Sequence, residues 1–352
     1  PLDAYILNDN DSRVVLFYGH IYSTHSADQI SNRLINSDFI SLPTILREIS
    51  GVFAGLIFDK YSKTLCLFVD QFGVKKVFYG ILDRKLVVSS HAMLISSHNN
   101  MHSIADSAFA SILFSGHLIS GSLFDDIKQV NAGCAIQYQD GLFAEKEYVT
   151  YPERVKESLQ DSIERVKHAH LDFWQRMRAK GVDSKIALML SRGKDARVCL
   201  KYMLDTGFSP NLISFYREED EMLPFVSFLL KAKDDLVAAS QIAKIIGVPL
   251  LSHRIPNAFL LENMKRLITL NHGTPLHWEF LAAAEVVQEK ADYSVTGFVG
   301  DVLSGKSHHH YHFKNVSSVS DYAKLEFRNA GDPNSYSLIK EAIQNTIGRD
   351  VL

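Results

Sequence analysis

Ile186-Ala187-Leu188-Met189-Leu190-Ser191-Arg192-Gly193-Lys194-Asp195-Ala196-Arg197 is the stretch of sequence that decides the fold. Five consecutive apolar residues without two-residue alternation match a strand buried on both faces of a parallel sheet. A short polar loop with one glycine follows, and then residues that favour helix. In an open parallel sheet, ligands collect beyond the carboxyl ends of the strands, where helix N-termini present backbone N–H groups. Gly193 lets the backbone approach an anion, and Asp195 can hold Mg²⁺. Taken alone, a generic strand-to-helix turn carries the same signature.

Outward from this loop the predicted elements alternate. A strand over 212–216, a helix over 235–246, a strand over 248–251, a helix over 278–290 and the apolar run Tyr293-Ser294-Val295 read as βαβ units. The expectation is a doubly wound parallel sheet over 151–352, entered by a charged helix over 154–180 with Glu157, Asp161, Glu164 and Lys167 on its exposed face. Residues 1–150 differ, with short β-branched and aromatic runs at 14–17, 52–58, 64–69, 77–82 and 86–89. Helical spacing interrupts them at 27–35 and 104–113. That mixture predicts a separate α/β domain, an antiparallel sheet covered by helices.

The 352 residues suffice for two domains, each with its own core. Lys and Arg number 37 against 40 Asp and Glu, a net charge of -3 without a basic run, so nucleic acid and anionic membranes are not expected partners. No signal peptide and no apolar run of about 18 residues appear, which makes cytoplasmic the default location. Cys66, Cys134 and Cys199 lie far apart in apolar segments and read as buried thiols rather than a disulfide framework or zinc site. The chain opens at Pro1, before an apolar run and without an initiator Met, as a fragment would.

The loop resembles the pyrophosphate-binding loop of the asparagine synthetase family, whose usual form is Ser-Gly-Gly-x-Asp-Ser. Asp234-Asp235 followed by 238–247 is similar to that family's acidic-start helix, and the segment from Val295 to Gly305 resembles its second signature, Ser-Gly-x-Gly-x-Asp-x-x-x-Gly. Upstream, Gly51-Val52-Phe53-Ala54, the segment Asp70 to Lys75 with Tyr79, and Gly121 to Lys128 through Gly133 resemble the family's glutaminase domain. The resemblance implies an N-terminal Ntn-hydrolase-like antiparallel sandwich over 1–150. It implies a C-terminal adenine nucleotide α-hydrolase-like (PP-loop) domain over 151–352. The implied reaction is amide formation, in which a carboxylate attacks the α-phosphate of ATP and an amine then displaces AMP from the acyl-adenylate. ATP and Mg²⁺ are the implied cofactors. Ser191, Gly193, Lys194, Asp195, Arg197, Gly297 and Asp301 are the implied nucleotide-binding residues, with Asp195 and Asp301 as catalytic residues and metal ligands.

Departures from the pattern are equally specific. The family's glutaminase nucleophile is an N-terminal cysteine, and no cysteine lies near this N-terminus. Its Asn-Gly-Glu-Ile-Tyr stands here as Tyr18-Gly19-His20-Ile21-Tyr22, and the Asp that binds the glutamine amine is Ser50, so a glutaminase-like domain without activity is expected. In the second half Arg192 replaces a glycine, Ala196 a serine and Phe298 the glutamate base. Arg192 either adds a cation for a phosphate or fills the cradle, and Arg197 either reaches a phosphate or marks a solvated helix face. The His308-His309-His310-Tyr311-His312 run reads as a solvated loop, since consecutive histidines cannot all address one ion, and His272 is a substrate-side candidate. The lysine that the family supplies from a longer C-terminal part has only Lys306, Lys314 and Lys324 as unaligned counterparts.

These features predict a carboxylate–amine ligase that has given up glutamine, as β-lactam synthetases and lasso peptide cyclases have. Its partners would be a small-molecule or peptide substrate carrying the carboxylate and its own amine, and a homo-oligomer is compatible with the sequence. The alternative is a non-catalytic family member serving as a binding or scaffold subunit. Retained ATP affinity, weighed against turnover, separates the two.

Overall fold

The computed structural model describes residues 3–98, 103–106, 108, 118, 121–149, 157–182, 186–217, 232–256, 258–270 and 278–297. In the first half the strands are β1 (Asp3–Asp9), β2 (Arg13–Ile21), β3 (Gly51–Asp59), β4 (Leu65–Val69), β5 (Phe78–Leu82), β6 (Lys85–Ser89), β7 (Lys128–Gln129), β8 (Cys134–Gln139) and β9 (Leu142–Glu147). Two antiparallel sheets result, ordered β1-β2-β3-β4-β8-β9 and β6-β5-β7.

Strand periodicity sorts the side chains between layers. Phe17, Phe53 and Phe68 point to one side of the larger sheet, where they meet helices α1 (Ala27–Ile35) and α2 (Leu42–Glu48). The Phe17 and Phe53 rings stack with centroids 5.3 Å apart. Their neighbours Tyr18, Ala54 and Leu67 face the smaller sheet, together with Val77 and Tyr79. The far side of the smaller sheet packs Phe78 and Leu82 on Ile95 of helix α3 (Ala92–His98). The order is therefore helix, sheet, sheet, helix, in accord with the expected antiparallel sandwich. Ser26 and Gln29 form a reciprocal capping box that starts α1. Glu145, Lys146 and Glu147 on the exposed edge strand β9 guard it against further pairing.

The helix expected over 104–113 does not begin at Ile104. That residue forms a β-bridge with Phe124, and helical backbone is met at Asp106 and Ala108. Residues 109–117 lie outside the described residues.

One carboxylate organises the strand ends. Asp70 is fully buried, and its side chain accepts four backbone N–H groups. Oδ1 takes those of Phe72 and Val74 at 2.9 and 3.2 Å, and Oδ2 those of Lys75 and Phe53 at 3.0 and 3.3 Å. Its carbonyl accepts from Gly73 and Gly133.

The second half begins with the long helix α4 (Leu159–Ala179), N-capped by Ser158. Strand β10 (Ile186–Met189) leads into α5 (Lys194–Asp205), β11 (Asn211–Arg217), α6 (Ala232–Ile246), β12 (Leu250–Ile255), α7 (Phe259–Leu270), α8 (Trp278–Lys290) and β13 (Tyr293–Val295). All four strands are parallel, in the order β12-β11-β10-β13. Leu188 and Leu212 face α4, α5 and α6, whereas Ala187 and Ile213 face Val287 of α8, so helices cover both faces as expected. The strand expected from 248 starts at Leu250. Gly247, at φ 70°, lets the N–H groups of Val248 and Gly247 turn back onto Ala243 and Lys244, closing α6 before Pro249. Among the described residues no helix is long and apolar enough to cross a membrane.

The halves touch through Tyr22, which follows β2 and packs edge-on to Phe173 of α4, centroids 5.5 Å apart. Trp174 behind it is buried against Phe208.

Asp70→Ala leaves four backbone N–H groups without their acceptor, one buried and three part-buried, and should destabilise the protein by about 3–5 kcal/mol in a urea titration. Asp70→Asn, which keeps one oxygen but turns an NH₂ towards two of those donors, should fall between.

Asp59 supplies a pH signature. The Ser62 amide and the Arg13 guanidinium, which lies 3.1 Å away, lower its pKa to about 2. A depressed carboxylate pKa stabilises the fold above the unfolded value of ~3.9, and this contribution is lost as pH falls through the folded value. Between about pH 4 and 2, the stability difference between wild type and Asp59→Asn should therefore shrink, as followed by thermal melts across that window.

Candidate functional site

Reversal of strand order fixes where a crevice can open in the second half. From β10 the chain builds outward through β11 to β12, and β13 then returns to the other side of β10. The loops after β10 and β13 leave their neighbouring strands without a connection crossing between them, which is the topological switch point of an open α/β sheet. The sequence-predicted loop lies at this point.

Leu190 leaves the sheet still bonded to it, its N–H donating to the Ile213 carbonyl at 2.8 Å. Ser191 Oγ accepts the Gly193 N–H at 3.1 Å, which folds the loop back towards the helix. Gly193 is the N-cap of α5, and no side chain caps the helix there. Its φ of -55° is open to any residue. A Cβ at residue 193 would instead lie 3.0 Å from Ser191 Oγ, so the constraint is space.

Gly297, two residues beyond β13, has a sharper constraint. A Cβ there would come within 2.3 Å of the Ala196 backbone nitrogen and 2.7 Å of the Asp195 carbonyl carbon. The structure therefore brings Ser191, Gly193, Lys194, Asp195, Arg197 and Gly297 to one place, from two loops about 100 residues apart in sequence. Lys194 and Arg197 are exposed, and Asp195 is half-buried in the first helical turn. Arg197 turns its Nε back to the Gly193 carbonyl at 3.4 Å, fixing it beside the loop. Burial, and then the negative charge of Asp195, raise the pKa of the Cys199 thiol one turn further along. Asp301, Phe298, His272, the 308–312 run, Lys306, Lys314 and Lys324 lie outside the described residues. Among the described residues no cluster of three or more metal-ligating side chains occurs.

The loop also has a partner that sequence reading did not assign. Asp235, in the first turn of α6, accepts the Arg192 N–H on Oδ1 at 3.1 Å, and the Arg192 Nε lies 3.8 Å from the same oxygen. Asp234-Asp235 was legible as an acidic helix start. That its carboxylate would face the residue after Ser191 required the pairing of β10 with β11.

In the first half, the segment Tyr18 to Tyr22 is committed to internal contacts. Tyr18 donates its hydroxyl to the Lys76 carbonyl at 3.0 Å, and burial, then Tyr5 and Asp70, raise its pKa. The Ser50 carbonyl accepts the N–H groups of Tyr22 and Ser23. Cys66 and Cys134 are buried, and burial pushes both thiols to about 11, so neither is poised as a nucleophile.

Residues 40–149 match the family model of a glutamine amidotransferase domain. No curated protein sequence matches the chain. Among solved structures, it is similar to the allosteric regulatory enzyme of purine biosynthesis, at 10% identity and a TM-score of 0.29, over 91% of this chain and 75% of that one. It is similar also to glutamine phosphoribosylpyrophosphate amidotransferase from B. subtilis complexed with ADP and GMP, at 10% identity and a TM-score of 0.29, over 89% of this chain and 76% of the other. By the sequence match, residues 40–149 are amidotransferase-like.

Proposed function

We propose that the protein is an ATP-dependent carboxylate–amine ligase of asparagine synthetase type that does not hydrolyse glutamine. The observation that carries this reading is the close fit of Gly297 against the uncapped start of α5 at the switch point. Free N–H groups at a helix N-terminus attract anions through both hydrogen bonding and the helix dipole. In this reading the amides at the start of α5, Ser191 and the Lys194 ammonium hold the pyrophosphate part of the nucleotide. ATP, when bound, supplies the phosphorus on which a carboxylate is activated. Asp195, and Asp301 as the sequence resemblance implies, would hold Mg²⁺; one described carboxylate fits that role, and the phosphate part of the cradle fits more fully.

The absence of glutamine chemistry has its own support. Tyr18, His20 and Ser50 stand where the family binds glutamine, and the Tyr18 hydroxyl and Ser50 carbonyl are already bonded internally. The amine would then come from the substrate itself, a small molecule or peptide, as in β-lactam or macrolactam closure. A second reading, a binding or scaffold subunit, draws on the Arg192–Asp235 contact, which occupies part of the loop.

ATP–pyrophosphate exchange with Mg²⁺, across aspartate, glutamate and a peptide panel, separates the readings. Exchange that requires one class of carboxylate and falls at least about 100-fold in Asp195→Ala is the expected result. Binding of ATP without exchange for any acceptor favours the scaffold. Gly297→Val should remove ATP binding while costing about 1–3 kcal/mol of stability, because the added methyls displace the start of α5. Unchanged nucleotide affinity in a folded Gly297→Val protein would show that the phosphate site lies elsewhere.

A further inference from the structure

The Arg192–Asp235 contact bears on how the proposed nucleotide site opens, and the inference rests on that reading. Asp235 takes up two of the groups that an incoming polyphosphate would use. Its Oδ1 occupies the Arg192 backbone N–H at 3.1 Å and sits 3.8 Å from the guanidinium Nε. Its own charge lies at the same edge of the sheet, and a carboxylate repels a phosphate wherever no cation intervenes. Both effects act against an anion.

The two residues come from different βα junctions, Arg192 after β10 and Asp235 at the start of α6 after β11. Their side chains are about half and two-fifths exposed, at 51% and 39%. An ion pair so exposed is weak and can exchange partners without unfolding anything. A glycine at 192, as in the related family's usual loop, could form the backbone bond but not the charge pair.

We propose that Arg192 and Asp235 form an internal latch across the phosphate loop, which nucleotide must displace to bind. On entry, the guanidinium and the 192 amide leave Asp235 and turn to the phosphates. The arginine is thus both the bar across the empty site and a ligand in the filled one. Asp235 sets the threshold by competing with the nucleotide for it.

Calorimetric titration of the full chain with Mg·ATP, and separately with Mg·pyrophosphate, tests this in wild type, Asp235→Asn, Asp235→Ala, Arg192→Gly and the Asp235→Asn/Arg192→Gly pair. Removing the carboxylate charge should tighten binding by about two- to fivefold, the range expected of an exposed ion pair. Asp235→Ala, which also frees the 192 amide, should tighten it at least as much. In the Arg192→Gly background, Asp235→Asn should leave affinity nearly unchanged, because the partner of the charge is gone. Equal or weaker binding in Asp235→Asn, with wild type binding normally, overturns the latch and makes Asp235 a brace. No binding by any variant removes the nucleotide reading and the latch with it. Thermal melts guard against misfolding, since a structural defect would weaken binding rather than tighten it.

Discussion

The separation between residue 297 and the start of α5 sets the geometry of the second half. With 2.3 Å between the position of a Cβ and the Ala196 nitrogen, the two loops are in backbone contact, and only a residue without a side chain can stand there. That contact follows from topology. β13 adds parallel to β10, with Ile186 opposite Tyr293, so the chain leaves both strands at the same edge and same height. Helix α5 cannot slide along its axis without striking 297, and its amides are therefore aimed at one volume beyond the sheet. Any anion bound there is held by backbone groups whose positions are set by the core beneath, where Ala196, Leu200 and Met203 are buried against Leu188.

Backbone donors are used in the opposite sense in the first half. Asp70 gathers four N–H groups into a fully buried carboxylate and leaves none for a ligand. The same residues that shape a turn could shape an anion site if the acid were supplied from outside, but here the anion is built into the chain. Tyr18 and Ser50 are likewise satisfied internally, and Tyr22 is turned outward onto Phe173. The first half thus presents an aromatic contact to α4.

Legibility of these features in the sequence follows the range of the interactions. Strands with strong periodicity or continuous apolar runs, such as β3 and β10, announce themselves because most of their residues are buried. Helix α8 appears with the bounds expected of it, Trp278–Lys290. The bridge of Ile104 with Phe124 does not announce itself, because it joins residues twenty apart that no local pattern couples, whereas the short α2, opened by Leu42-Pro43, carried a local start signal that went unread. The loop residues were legible from Gly193 and Asp195. The role of Asp235 was not, because it is created by the placement of β11 beside β10. Gly193 was singled out for close approach of the backbone to an anion; its own backbone is ordinary, and a Cβ there would meet only the Ser191 hydroxyl.

The distribution of change across the chain argues for a division of labour. At the positions that resemble a glutamine pocket, the Tyr18 hydroxyl is bonded to the Lys76 carbonyl and Tyr22 packs on Phe173. Positions around the α5 start differ in kind. Arg192 and Asp235 meet through an exposed contact worth at most about 1 kcal/mol, a small fraction of what a bound polyphosphate gains from several amides and a lysine. An interaction of that size cannot close the site permanently, but it can set the concentration at which nucleotide enters. Arginine at 192 is therefore compatible with the proposed nucleotide site, since the backbone cradle formed by residues 193–196 and Gly297 stays in place.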